Sequence, residues 1–176
     1  MEPGASVFPG RIRQFGFIVE DVDAAIAQWV ALGVAPWLVV RELAMERCQY
    51  RGALSEPVIS IALANSGDMQ IELIQQHGET PSIYQEFMKS TGGGLNQVAY
   101  WVEDLDAVRA DASAAGWTEV WRGDEDGPTR FSYFEHPDAP LAIVELMELN
   151  DMTSSMGAAI QAAAEAWAPG QPTLMG

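Results

Sequence analysis

The feature that most constrains this chain is an internal repeat. Residues 14–33, QFGFIVEDVDAAIAQWVALG, return without a gap at residues 97–116 as QVAYWVEDLDAVRADASAAG. Gln14 falls on Gln97, Val19-Glu20-Asp21 on Val102-Glu103-Asp104, Asp23-Ala24 on Asp106-Ala107 and Gly33 on Gly116, each 83 residues further on. A repeat fixes the architecture before any single motif is read, because each copy must be one supersecondary unit. Here the unit is strand, turn, helix. Gln97–Val102 is rich in aromatic and β-branched residues, Asp104 is placed to cap a helix, and Gly116 stops it. Leu105, Val108, Ala112 and Ala115 recur at spacings of three and four, an apolar stripe that must lie on a sheet.

The rest of the chain completes each unit in the same order. In the first, a strand over 13–20 and a helix over about 21–32 precede a second strand opened by Pro36-Trp37 and running to about Cys48. Val58–Ala64 and Met69–Gln75 are the third and fourth strands, joined by the Asn65-Ser66-Gly67-Asp68 turn. In the second, Thr118–Arg122, Arg130–Phe134 and Leu141–Leu149 follow the helix. The predicted fold is therefore α+β, two βαβββ modules related by a pseudo-twofold and forming a curved sheet cup. The modules span 11–76 and 95–149. A linker over 77–94 carries a short helix near Pro81–Lys89, and a tail over 150–176 holds an alanine-rich helix. Residues 1–10, with two Pro and two Gly, read as a loose leader.

Alternate residues of a strand share a face. Phe15, Phe17 and Val19 suit the helix-covered face, which leaves Gln14, Gly16 and Ile18 on the other. In the second copy Val98, Tyr100 and Val102 oppose Gln97, Ala99 and Trp101. Glu72 and Glu145 sit among apolar neighbours in the last strand of each module, IEL and VEL, where ionisable groups are uncommon without partners. A pseudo-twofold brings Gln14, Glu72, Gln97 and Glu145 into one cup. By the same parity Ile18, Trp101, Ile143 and Met147 line it with apolar surface.

Charge narrows the function. The formal net charge is −16, from 25 acidic and nine basic residues. Such a chain repels phosphate backbones and anionic lipid, which argues against nucleic-acid and membrane partners. It favours a small-molecule substrate that is neutral and hydrophobic. The single Cys48 forms no internal disulfide, in keeping with a cytoplasmic protein.

The duplicated strand–helix units, the IEL and VEL strands and the turn FEHPDAP together resemble the vicinal oxygen chelate superfamily. That superfamily includes glyoxalase I, methylmalonyl-CoA epimerase, extradiol dioxygenases and bleomycin-resistance proteins. The resemblance spans 12–149, and LGVAPW (32–37) with IELIQQH (71–77) place it nearest the epimerase-like glyoxalase branch. In metal-dependent members of that superfamily the ligands come from the first and last strands of each module. The corresponding positions here are Gln14, Glu72, Gln97 and Glu145. Glutamine replaces histidine twice, since the only two histidines, His77 and His136, read as a linker residue past a strand end and a turn residue. An all-oxygen set favours Mn²⁺, Mg²⁺ or Ca²⁺ over Zn²⁺ or Ni²⁺. The same four residues also make a self-contained hydrogen-bonded network without metal.

The resemblance implies an isomerase, epimerase or lyase that removes a proton next to a carbonyl, with Glu145 as base and Glu72 as acid. The alternative is a metal-free protein of the bleomycin-resistance kind that sequesters a small ligand. A ring-cleaving dioxygenase fits poorly, because ferrous iron there takes two His and one carboxylate. A homodimer is expected in either case.

Overall fold

The computed structural model describes residues 7–123, 125–139 and 143–175. In chain order its elements are β1 (Gln14–Ile18), α1 (Val22–Ala31), β2 (Leu38–Ala44), β3 (Cys48–Tyr50), β4 (Ala53–Ser55), β5 (Val58–Ser66), β6 (Met69–His77) and α2 (Ile83–Thr91). Then come β7 (Gly94–Val102), α3 (Leu105–Ala114), β8 (Thr118–Gly123), β9 (Phe131–Glu135), β10 (Ile143–Glu148) and α4 (Asp151–Ala166). The fold is α+β, as the repeat requires. Leu141 and Ala142, expected at the start of the last strand, lie outside the described residues, as does most of the leader.

One sheet holds all ten strands in the order β2-β5-β6-β1-β7-β10-β9-β8-β3-β4. Reading outward from its middle, β1-β6-β5-β2 mirrors β7-β10-β9-β8. β1 is parallel to β6 and β7 is parallel to β10, while β1 and β7 meet antiparallel. The two halves of the repeat thus adjoin at the centre of the sheet.

Local chemistry explains the repeated helices. The Asp21 carboxylate accepts from the Asp23 and Ala24 N–H groups at 2.9 and 3.0 Å, and Asp104 accepts from Ala107 at 2.9 Å. These side chains satisfy amides that a helix start leaves unpaired. Gly33 and Gly116 follow with φ of 86° and 93°, a backbone that glycine alone adopts cheaply. α1 buries Ala25 and Ile26 against Phe15, Phe17 and Leu73, with Trp37 at the centre of that cluster. α3 covers the equivalent face of the second half. Phe8 stacks on Tyr100 and meets Trp117 edge-on, so residue 8 belongs to this second core rather than to a loose leader.

The second strand departs from expectation. It ends at Ala44 rather than near Cys48, after a bulge between Val40 and Leu43. The chain then turns away as the hairpin β3–β4, which pairs with β8 of the other half through Gln49↔Arg122 and Tyr50↔Trp121. Glu42, Arg47 and Arg51 have φ of 49°, 54° and 47°. Left-handed backbone at non-glycine residues breaks a strand without leaving a sequence signal. His77 is also corrected: it is the last residue of β6, with its imidazole Nε2 2.8 Å from Ser60 Oγ. His136 does sit in its turn, where Nδ1 accepts from the Asp138 N–H.

The concave face of the sheet encloses a third cluster with Ile18, Ile59, Ile74, Tyr84, Trp121 and Tyr133, closed at one end by Ile83 and Tyr84 of α2. α4 crosses the other end. Asn150 and Thr153 form a capping box at its start, and Gly157 rests on the Trp101 ring. Its far end is tied down by backbone hydrogen bonds between Trp37 and both Thr173 and Met175. Among the described residues, no helix is long and apolar enough to cross a membrane.

Candidate active site

Strand register brings the two Gln and two Glu together. Gly16 pairs with Glu72 on one side and with Gln97 on the other, while Ala99 pairs with Gln14 and with Glu145. Two adjacent rungs of the sheet therefore carry all four side chains on the concave face. Gly16 makes their meeting possible. A Cβ there would lie 2.0 Å from Gln97 Nε2, so the missing side chain is what lets Gln97 fold across β1. Gln97 Nε2 then donates to Glu72 Oε2 at 3.1 Å and to Tyr133 Oη at 3.0 Å. Gln14 turns the other way and donates through Nε2 to Gln70 Oε1 at 2.9 Å. The four positions are repeat-equivalent, but their hydrogen bonds are not.

Those bonds leave three oxygens without partners. Gln14 Oε1, Gln97 Oε1 and Glu145 Oε2 are buried and accept from nothing among the described residues. Leaving a buried acceptor unpaired costs about 1–3 kcal/mol. Unpartnered amide and carboxylate oxygens are donors of the kind a hard divalent cation takes. Among the described residues no group of three or more His, Cys, Asp or Glu is arranged to hold a metal. Any cation here would depend on the amide oxygens. On this chemistry the residues present fit the ion.

Burial sets the electrostatics. It pushes the Glu72 carboxyl up to about 7, against a hydrogen bond from Gln97 that lowers it. Glu145 is raised well above the ordinary carboxyl range, by burial first and by the Glu72 charge second, with hydrogen bonds from Gln97 and Tyr133 opposing. Both carboxyls are thus pushed toward the neutral form, Glu145 by the Glu72 charge as well as by burial. Glu145 is buried, whereas Glu72 keeps partial exposure on the cavity wall. The sign of the linkage follows. Between the unfolded carboxyl value and about 7 the folded chain holds protons that the unfolded chain has released, so stability falls as pH rises through that window.

Three of the four residues border a cavity of about 270 Å³. Gln14, Glu72 and Glu145 stand on its wall, and Gln97 lies behind, bonded to Glu72. Aliphatic residues of β2 and β5 face them, Tyr84 of α2 closes the inner end, and Met152 and Met156 of α4 close the outer end. Of the apolar residues expected here, Met147 is on the wall. Ile18 and Ile143 pack lower, in the cluster under α2. Trp101 stands behind the wall, beneath α4, with the Arg13 guanidinium 4.7 Å from its ring centroid. Parity gave its face correctly but could not show the helix that covers it.

Sequence reasoning missed Gln70 and Tyr133. Gln70 shares the face of Glu72 by the same alternation and was overlooked. Nothing in the strand pattern marks Tyr133 as more than core packing, yet it lines the cavity and its hydroxyl accepts from Gln97. Its Oη is 3.5 Å from Tyr84 Oη, which in turn accepts from the Trp121 indole at 3.1 Å. No sequence pattern announces that chain of contacts.

Among curated proteins, none matches the chain in sequence. Solved structures do match in fold. Methylmalonyl-CoA epimerase from Mycobacterium tuberculosis superposes with a TM-score of 0.58 at 22% identity, covering 86% of this chain and 95% of its own. A hypothetical protein from Bacillus halodurans C-125 gives 0.59 at 16% identity, with 80% and 95% covered. A single-residue variant of Streptomyces coelicolor methylmalonyl-CoA epimerase, in complex with 2-nitronate-propionyl-CoA, gives 0.50 at 18%, with 80% and 95% covered. At these identities the likeness is one of fold. The profile of one sequence family, however, matches residues 13–134, most of the chain. By that match the chain belongs to the Glyoxalase/Bleomycin resistance protein/Dioxygenase superfamily.

Proposed function

We propose that this protein is an epimerase- or isomerase-type enzyme that removes the proton next to a substrate carbonyl. The observation that carries the reading is the group of three orphaned oxygens, Gln14 Oε1, Gln97 Oε1 and Glu145 Oε2, beside a second carboxyl poised near neutral pH. Glu72 is the base: it is ionised at and above neutrality and reaches the cavity. After taking the proton it carries it back to the product, at the other face or the neighbouring carbon. The Tyr133 hydroxyl accepts from Gln97 and is hydrogen-bonded to Glu145, and in the reaction it would turn its proton from Glu145 to the enolate oxygen. Gln14, Gln97 and Glu145, together with Glu72, would hold a hard divalent ion, Mn²⁺, Mg²⁺ or Ca²⁺ before Zn²⁺ or Ni²⁺. When bound, that ion offsets the buried carboxylate charge and draws electron density from the carbonyl. The epimerases of similar fold support an isomerase in preference to a lyase. All the walls of the cavity come from one chain, so the reading does not depend on pairing as a homodimer.

The apolar walls favour one other reading, a protein that sequesters a small hydrophobic ligand. A sequestering pocket has no use for two buried acids, which is why the enzymatic reading is preferred. Proton exchange separates the two. The protein, supplied with Mg²⁺, is mixed in D₂O with a panel of ketones and esters bearing an acidic α-hydrogen, and the loss of that ¹H signal is followed by NMR. Enzymatic exchange into at least one compound is expected. Binding without exchange across the panel would favour sequestration.

A further inference from the structure

We propose that the cavity selects a neutral, compact, apolar substrate and rejects anions, acyl-CoA thioesters included, and that α4 imposes this choice through Met152 and Met156. The carbonyl group of that substrate rests on the function proposed above; its charge and size rest on independent observations.

The first is the disposition of the cations. The chain has nine basic side chains, and eight are paired with carboxylates. Arg41 holds Asp23, Arg47 holds Asp126, and Arg51 spans Glu86 and Glu135. Arg130 spans Asp106 and Glu148, and Arg11, Lys89, Arg109 and Arg122 are likewise paired. The ninth, Arg13, is stacked on Trp101 beneath α4. None of the nine lines the cavity. An anionic group entering it would meet no compensating charge, in the field of a chain whose net charge is −16. A divalent ion in the site would leave little free charge for an anion, because on binding it would displace the protons of Glu72 and Glu145 and be balanced by the two carboxylates.

The second observation is the wall. Met45, Met152 and Met156 line the cavity together with Met147, which neighbours Glu145 on β10, and aliphatic residues of β2 and β5 complete the wall. Thioethers are polarisable and apolar, and they shape themselves to hydrophobic ligands. A volume of about 270 Å³ lies near the lower end for small-molecule sites and fits a compact ligand.

The third is the seating of α4. A Cβ on Gly157 would come within 3.3 Å of the Trp101 ring, so the helix lies as close to the sheet as its backbone permits. Its capping box and the Trp37–Thr173 hydrogen bond fix both ends. Met152 and Met156, one turn apart, are therefore held at the mouth, with Met152 still 47% exposed. α4 is a fixed roof, and its chemistry decides what passes.

Two nearly isosteric probes test the proposal: 4-fluoroacetophenone, which is neutral, and 4-fluorobenzoate, which is anionic. Binding is read from ¹⁹F line widths, with and without Mg²⁺, and acetyl-CoA is added as competitor. The ketone is expected to bind at least about tenfold more tightly than the benzoate, a difference of ~1.4 kcal/mol, and acetyl-CoA should not displace it. Met156→Lys should narrow or invert that preference, while Met156→Leu should leave it as in the parent. Equal or tighter binding of benzoate, displacement by acetyl-CoA, or binding of neither probe would overturn the proposed substrate class. An unchanged preference in a folded Met156→Lys variant would overturn the role of α4. Selectivity without any α-proton exchange would leave this inference standing and remove the proton-abstraction reading instead.

Discussion

Replacing Glu72 with Gln is expected to lower the rate of α-proton exchange by about 10²–10⁴-fold, the usual contribution of a positioned general base. The substitution keeps the shape of the side chain and an oxygen to accept the Gln97 amide, and it removes only the group that takes the proton. Ligand affinity should therefore change little while turnover collapses, a pattern that marks an interaction made in the transition state. Glu145→Gln should behave differently. Glu145 is the deeper carboxyl and contributes an orphaned oxygen, so its loss should weaken cation binding first and turnover as a consequence. If Glu72→Gln exchanges protons at the parent rate, Glu72 is not the base.

The largest structural effect is expected at Trp37. Its side chain is 0% exposed, sits at the centre of the cluster under α1, and donates from Nε1 to the Val34 carbonyl at 2.9 Å. Trp37→Ala removes the indole and leaves a cavity that the β-sheet is too rigid to fill, at a cost of about 3–5 kcal/mol. For a chain of this size that corresponds to a fall in Tm of roughly 6–20 °C. The same position anchors the tail after α4 by backbone hydrogen bonds, so the roof of the cavity should loosen with the core. Chemical denaturation checks the energy, and a loss below about 1 kcal/mol would show that this cluster is not the main support of the first half.

Much of this was legible in the sequence, for identifiable reasons. Asp21, Asp104, Gly33 and Gly116 carry their cap and stop chemistry on their face, so both repeat helices could be placed from the chain alone. Alternation along β1, β6, β7 and β10 placed Gln14, Glu72, Gln97 and Glu145 on one face, because strand parity is a local property. What parity cannot carry is depth. Trp101 has the expected face but lies beneath α4. How far each of the two carboxyls is buried is likewise something no local pattern records. Nor was the β3–β4 hairpin anticipated: Gly52, with φ of 82°, does mark its turn, but the left-handed backbone at Arg47 and Arg51 carries no such signal.

Thermal unfolding of chelator-stripped protein at pH 5 and pH 8, with and without Mg²⁺ or Mn²⁺, tests the proposed cation site of buried carboxyls and orphaned amide oxygens. Without cation, Tm should fall from pH 5 to pH 8, because the raised carboxyl pKa values make the folded state give up its buried protons across that interval. At pH 8 the cation should restore stability, by on the order of 5 °C. At pH 5, where protons already neutralise the pair, it should do little. Glu145→Gln, which removes one of the two titrating groups, should flatten both responses. A Tm at pH 8 that is indifferent to either cation would contradict the account and leave the four residues as a structural network.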